Sequence, residues 1–345
     1  MKPKFLLYIA HKYGFPIARP LQKELLSRGY EVAWFVEIEA NKKPLLPDEV
    51  LLNTVDEVRS YNAGINLVAC NEVPPFFPGI KVQVFHGFSI DKRSEERGHF
   101  RIRGLFDLYC TQGPSTTEPF LKLKEKHPHF DVIETGWSKV DPLFPVRSSK
   151  NAKPVIIFAS TFTKGISLAH NNDVFEEVKR LTKTKVWDWI ITLHPKMDVE
   201  IVKKFKSLTS DNVTYIDSLD SLEPLKQADV MLSDTSSVVT EFIIQKKPVV
   251  TFNNRKPNTY LINILEVDAI EKSLEKALSY PVEVMVAIDD YIKKIHPYRD
   301  GKSSARVIDA TLHFLQQGTA KKLKSKPFNM IRKFKIRKRL NYFKF

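Results

Sequence analysis

Two cysteines in 345 residues, Cys70 and Cys110, are too few for a disulfide framework and lack the spacing of a thiolate metal site. They fit a reducing compartment, where a buried thiol acts as a small hydrophobe. The first apolar run, Phe5–Ala10, is too short for a signal-peptide core, and no stretch of 18 apolar residues occurs. The expectation is a cytoplasmic chain with no membrane-spanning helix. Glycine is sparse, at 12 residues, and none of it forms a dinucleotide fingerprint or a Walker loop. Nucleophile-elbow and HExxH patterns are also missing, and the one acidic pair resembling a metal-binding doublet, Asp289-Asp290, lies in a helical run that reads as a solvated face. No metal or other cofactor is implied.

What is present is material for two cores: 43% hydrophobic residues, with 23 phenylalanines, in a length suited to two domains. Net charge is +14, but Lys321–Phe345 holds 11 lysines and arginines and no acid, so the rest of the chain carries only +3. The body is close to neutral and the tail is the basic element.

Short apolar runs alternate with helical patterns. KFLLYIA, EVAWFVE, INLVAC and KVQVFHG read as strands in the first part, with a helix closed by Gly29 between the first two. After TGWSKVDPLFPVRSSKNAKP, read as an interdomain linker, the pattern restarts with VIIFAST, WDWIITLHP, VTYID, DVMLSD and KPVVTF. Strand–helix alternation of this kind predicts α/β architecture with parallel sheets, as two facing Rossmann-like domains with a cleft between them. The boundaries expected are 1–147 for the first domain, 148–318 for the second, and 319–345 for the tail.

Ligands of open parallel sheets bind beyond the carboxyl ends of the strands. Those ends carry His11, His86-Gly87, Ser160-Thr161, His194-Pro195 and Asp234-Thr235-Ser236-Ser237. In VMLSDTSSVVTEF the strand stops at Asp234 and Thr235, Ser236 and Ser237 open a helix, whose free N–H groups and dipole suit a phosphate. Ordinary N-capping explains one such hydroxyl but not three in a row. His86 and His194 are either strand caps or site residues. Thr161 and Lys164 lie on the loop after a strand, and in HPYRDGKSSARVID a serine at 303 or 304 caps a helix whose first turns bear Arg306.

In this order, VFHG, TGWSKVDPLF, VIIFASTFTK, TLHP, DVMLSDTSSVVTEFIIQKKPVVTF and PYRDGKSSARVID resemble the CDP-glycerol glycerophosphotransferase family. These are the teichoic-acid primases and polymerases and related capsule enzymes of GT-B fold. The resemblance spans roughly residues 84–310. It implies transfer of glycerol phosphate, or a related polyol phosphate, from a CDP-linked donor to a lipid-linked or polysaccharide hydroxyl. It further implies that residues 1–147 take the acceptor and 148–318 the nucleotide donor, that His86 is the base, that His194 and the Thr235–Ser237 turn hold the donor's phosphates, and that Arg306 assists. His194 is thus counted with His86 as catalytic, and Thr161, Lys164 and Asp234 are counted as donor-binding. Members often carry Thr-Pro after the His-Gly and a lysine five positions beyond the histidine. Here Phe88-Ser89 stands instead and Lys92 is six positions on, so Lys92 is not placed in the site.

Two alternatives stay open. One is a GT-B glycosyltransferase using a CMP-, CDP- or UDP-linked sugar. The other is a basic-tailed membrane or nucleic-acid binding protein with an inert cleft. The tail, with Arg332, Lys333, Phe334, Arg337, Lys338 and Arg339, mixes cations and aromatics as interfacial segments do. It predicts an anionic membrane surface as partner and a peripheral position on the inner face of the cell membrane. Nucleic acid is disfavoured, because the body supplies no second basic face.

Overall fold

A computed structural model describes residues 2–37, 45–47, 49–88, 98–146, 153–217 and 222–344. The chain divides into two units, Met1–Asp141 with Ile295–Phe345, and Pro142–Lys294. The first unit is built on strands β1 (Phe5–Ile9), β2 (Val32–Val36), β3 (Leu51–Leu52), β4 (Ile65–Val68), β5 (Ile80–Gln83), β6 (Leu108–Thr111) and β7 (Asp131–Glu134). They form one parallel sheet in the order β3-β2-β1-β4-β5-β6-β7. The second unit carries β8 (Val155–Ser160), β9 (Asp188–Leu193), β10 (Val213–Ile216), β11 (Val230–Ser233), β12 (Val249–Phe252) and β13 (Ile262–Ile264). Its parallel order is β10-β9-β8-β11-β12-β13.

The strands are parallel because helices bury both sheet faces, so each reads as a continuous apolar run rather than an alternating one. Phe5–Ile9 is buried at all five positions. Chain order reverses between β1 and β4 in the first unit and between β8 and β11 in the second. A crevice opens at the strand ends where such a reversal occurs, which picks out Ser160 and Asp234 in the second unit. Gly29 closes the helix Phe15–Ser27 with a φ of 68°, as its position foretold.

Three expectations change. The first unit takes back the chain at Ile295, so the helix Ser303–Gln316 and the tail pack with the N-terminal sheet instead of extending a donor domain to 318. The segment read as a linker does hold the junction, between Asp141 and Pro142, but its first part is buried rather than loose. Trp137 is 1% exposed and Ser138 donates to the Ile17 carbonyl at 2.9 Å, which ties it to the helix Phe15–Ser27. Only its stretch 147–152 lies outside the described residues, as do Ser89 and Lys92. Third, neither Ser303 nor Ser304 caps its helix through a side chain. The buried carboxylate of Asp141 accepts from both backbone N–H groups, at 2.8 and 2.7 Å. Asp289 and Asp290 pair with Lys246 and Lys293, a solvated face as read.

Candidate functional site

The second unit assembles most of the expected site residues around Asp234. This side chain follows β11 and is fully buried. Its carboxylate accepts from Ser160 Oγ at 2.6 Å, from the Thr161 N–H at 3.0 Å and from the Leu168 N–H at 3.0 Å. Burial pushes its pKa up against the pull of those donors. Asp234 therefore ties the end of β11 to the loop after β8, and is not itself placed to meet an anion. Sequence reasoning set it among phosphate ligands; its role is to hold the loop that carries Thr161 and Lys164.

From Asp234 a hydrogen-bond chain runs outward. Ser160 Oγ meets Ser167 Oγ at 3.1 Å, Ser167 Oγ meets His170 Nδ1 at 2.8 Å, and His170 Nε2 meets Asp198 at 3.2 Å. This chain backs a pocket of about 210 Å³ whose lining includes Lys164, Ser167, His170, Asn171, Phe252 and Asn253. Lys164 lies 3.7 Å from Asp198 and is mostly solvent-exposed. The pocket and His170 were not read from the sequence. The run His170-Asn171-Asn172 ahead of an amphipathic helix was the available signal, since Asn171 caps that helix by accepting from Asp173 and Val174.

The three hydroxyls after Asp234 behave unequally. Thr235 Oγ1 accepts from the Arg255 N–H at 3.1 Å, which fastens the turn after β12. Ser237 is the N-cap residue of the short helix Val238–Ile243 but makes no side-chain cap, so capping does not account for it. No hydrogen bond engages Ser236 Oγ or Ser237 Oγ among the described residues. His194, one residue past β9, accepts from the Lys196 N–H at Nδ1, 3.1 Å away, and lies against Phe162 with ring centroids 4.4 Å apart. In the neutral ring that acceptor role puts the proton on Nε2, making it a donor suited to a phosphate oxygen.

In the first unit, His86 follows β5 on an unusual turn. Phe85 has a φ of 57°, a conformation a bulky residue adopts only at a cost of about 1–3 kcal/mol. The strain is held in place by packing: Phe85 stacks on His99 at 4.8 Å, meets Phe120 edge-on, and its carbonyl accepts from Trp137 Nε1 at 3.4 Å. The turn delivers an exposed His86 to a row with Tyr13 and His11, centroids 5.1 and 5.2 Å apart. Burial raises the Tyr13 pKa, so its phenol stays protonated at neutral pH. The Phe85 conformation has no sequence signature, and Tyr13 lies in no motif.

Arg306 belongs to the first unit, chelates both oxygens of Asp300 and stacks 4.2 Å over Tyr298. Its segment serves a structural junction between two motifs. Gly136, at φ 82°, sits where a Cβ would come within 2.5 Å of Ser303 Oγ. Next to it the Trp137 N–H donates to His296 Nε2 at 3.0 Å, and burial pushes the His296 pKa down to about 4, keeping that acceptor unprotonated.

Two parallel-sheet α/β units with these switch points define the GT-B fold. Solved structures similar to the chain are of the same kind. UDP-N-acetylglucosamine 2-epimerase from Neisseria meningitidis bound to UDP-GlcNAc is 15% identical, with a TM-score of 0.60 over 90% of this chain and 99% of that one. S. aureus MnaA with UDP is 16% identical, with a TM-score of 0.61 over 91% and 97%. The wall teichoic acid polymerase TagF is 13% identical, with a TM-score of 0.66 over 92% and 90%. At such identities the likeness is one of fold. The chain belongs to the UDP-N-acetylglucosamine 2-epimerase family, whose model matches residues 123–312, more than half of its length. No curated protein matches it in sequence.

Proposed function

We propose that this member of an enzyme family is a transferase that moves glycerol phosphate, or a related polyol phosphate, from a CDP-linked donor to a hydroxyl of a lipid-linked or polysaccharide acceptor. The second unit takes the donor. His194 Nε2–H, Ser236 and Ser237 bind its phosphate oxygens, and Lys164 supplies a cation nearby. Fixed donors of this kind stabilise the charge that builds as a phosphoryl group transfers. The acceptor oxygen attacks the β-phosphorus, the bond from that phosphorus to the CMP oxygen breaks, and CMP leaves. The first unit supplies His86 to take the hydroxyl proton, since a hydroxyl is a poor nucleophile at pH 7 and imidazole titrates near ~6.5.

The observation that carries this reading is the exposed His86 that the strained Phe85 turn sets in a row with Tyr13 and His11, an imidazole presented to take a proton from a hydroxyl. The motif resemblance from His86 to Arg306 points the same way. Epimerisation stands as the second reading because the family model carries that description. Incubating the full chain with CDP-glycerol plus a glycerol-phosphate-primed acceptor, and separately with UDP-GlcNAc, discriminates between them. Acceptor-dependent CMP release supports the proposal, and accumulation of the C2 epimer of UDP-GlcNAc overturns it.

A further inference from the structure

The tail is not a loose appendage. Ile336 is fully buried in the core cluster of the first unit, and Tyr342 stacks on Phe76 at 5.1 Å. Arg339 pairs with Glu37 at 2.8 Å and Glu72 at 3.1 Å, and Arg332 donates to the Arg103 carbonyl at 3.2 Å. At about 100° per residue, Arg332, Arg339 and Ile336 of the helix Met330–Arg339 share an arc of roughly 60°, which is the docked face. Met330, Phe334, Lys338 and Ile331 share an arc of about 100° on the opposite side. The apolar positions look scattered in sequence because they serve two surfaces, one inward and one outward.

The outward surface is apolar and exposed. Met330 is 65%, Ile331 74% and Phe334 59% exposed, and Phe328 and Phe343 adjoin them at 74% and 48%. These are five of the 17 large apolar side chains exposed among the described residues, and all five lie within 328–343. Scattered exposed apolar groups need no explanation, but a contiguous set does. Lys333, Lys335 and Lys338 border the set, and none of the three forms an ion pair among the described residues.

We propose that this outward face docks on an anionic lipid surface, with Phe328, Ile331 and Phe334 entering the headgroup–acyl boundary and Lys333, Lys335 and Lys338 meeting the lipid phosphates. Charge decides the sign of the surface, since the tail holds no acid. The apolar side chains decide its nature: a polyanion such as a nucleic acid would engage the lysines and leave these rings in water, whereas a bilayer takes both. Because the docked side of the helix is fixed by Ile336 and Arg339, the face presents a set orientation of the first unit to the membrane. Arg332, Arg337 and Arg339, counted as lipid contacts on sequence, are instead turned to the protein, where Arg337 packs over Phe76. The inference is independent of the reaction proposed above.

The test is co-flotation of the full chain with vesicles of phosphatidylglycerol and phosphatidylcholine, and with phosphatidylcholine alone. The wild type is expected to float with the anionic vesicles and at least tenfold less with the neutral ones. Phe328→Ser/Ile331→Ser/Phe334→Ser is expected to cut partition at least tenfold. Lys333→Gln/Lys335→Gln/Lys338→Gln should cut it roughly 100-fold at low salt. Both variants should unfold at the wild-type temperature, because the changes fall on the outward side. Wild-type protein that stays with the bulk, or wild-type flotation of either folded variant, overturns the proposal. So does binding to duplex DNA that survives the apolar variant while vesicle binding is absent.

Discussion

Removing the Asp234 carboxylate tests the architecture of the loop after β8, the proposed phosphate site, most sharply. In Asp234→Ala the N–H groups of Thr161 and Leu168 and the hydroxyl of Ser160 lose a buried acceptor at once. A buried donor left without a partner costs about 1–3 kcal/mol. Some of the three find water in the vacated space, so the expected loss is about 3–5 kcal/mol, near that for breaking a buried charged network. For a unit of this size that corresponds to a melting point lower by the order of 10 °C. Asp234→Asn keeps one acceptor oxygen and should lose about half as much. Because the same carboxylate holds the loop bearing Thr161 and Lys164, Asp234→Ala should also weaken binding of a CDP-linked donor about tenfold or more, on the order of 1.4 kcal/mol. Chemical denaturation followed by far-UV circular dichroism, paired with calorimetric titration of the nucleotide, reads both. An Ala variant within about 0.5 kcal/mol of wild type, as at an uninvolved surface position, would refute the reasoning.

Other outcomes follow from the same geometry. Asp141→Ala strips the cap from the helix Ser303–Gln316 and should destabilise the first unit by about 1–2 kcal/mol, with Asp141→Asn recovering part of it in the same unfolding assay. His296 is buried with its pKa lowered to about 4, so the unfolded chain binds a proton that the native state refuses. Its contribution is intact above pH ~6.5 and falls by up to about 3 kcal/mol as pH drops towards 4. Stability profiles of wild type and His296→Asn should diverge in that window and run parallel above it. Replacing Ser236 and Ser237 by leucine should raise the donor's Kd at least about tenfold with little change in melting point, since neither hydroxyl supports the fold.

The legible parts were those that burial dictates. Apolar runs located the central strands of both sheets, because strands covered on both faces leave a continuous signal. Short strands such as Leu51–Leu52 and Asp131–Glu134 went unread: two or four mixed residues carry no period. Strand-end residues were placed well, since a strand's end is a local property. What failed was non-local. Nothing around Asp141 signals that it caps a helix 162 positions onward. The tail's apolar residues gave one blurred face on a helical wheel, because no local rule separates an inward Ile336 from an outward Ile331.

The account rests on His86 acting as the base, presented by the strained Phe85 turn. The decisive measurement is turnover and nucleotide affinity of His86→Ala side by side, with CDP-glycerol as donor. The account predicts kcat lower by about 10²–10⁴-fold and a Kd for the nucleotide close to wild type, because the donor is held in the other unit. Near-normal kcat, or a loss confined to nucleotide affinity, would contradict it.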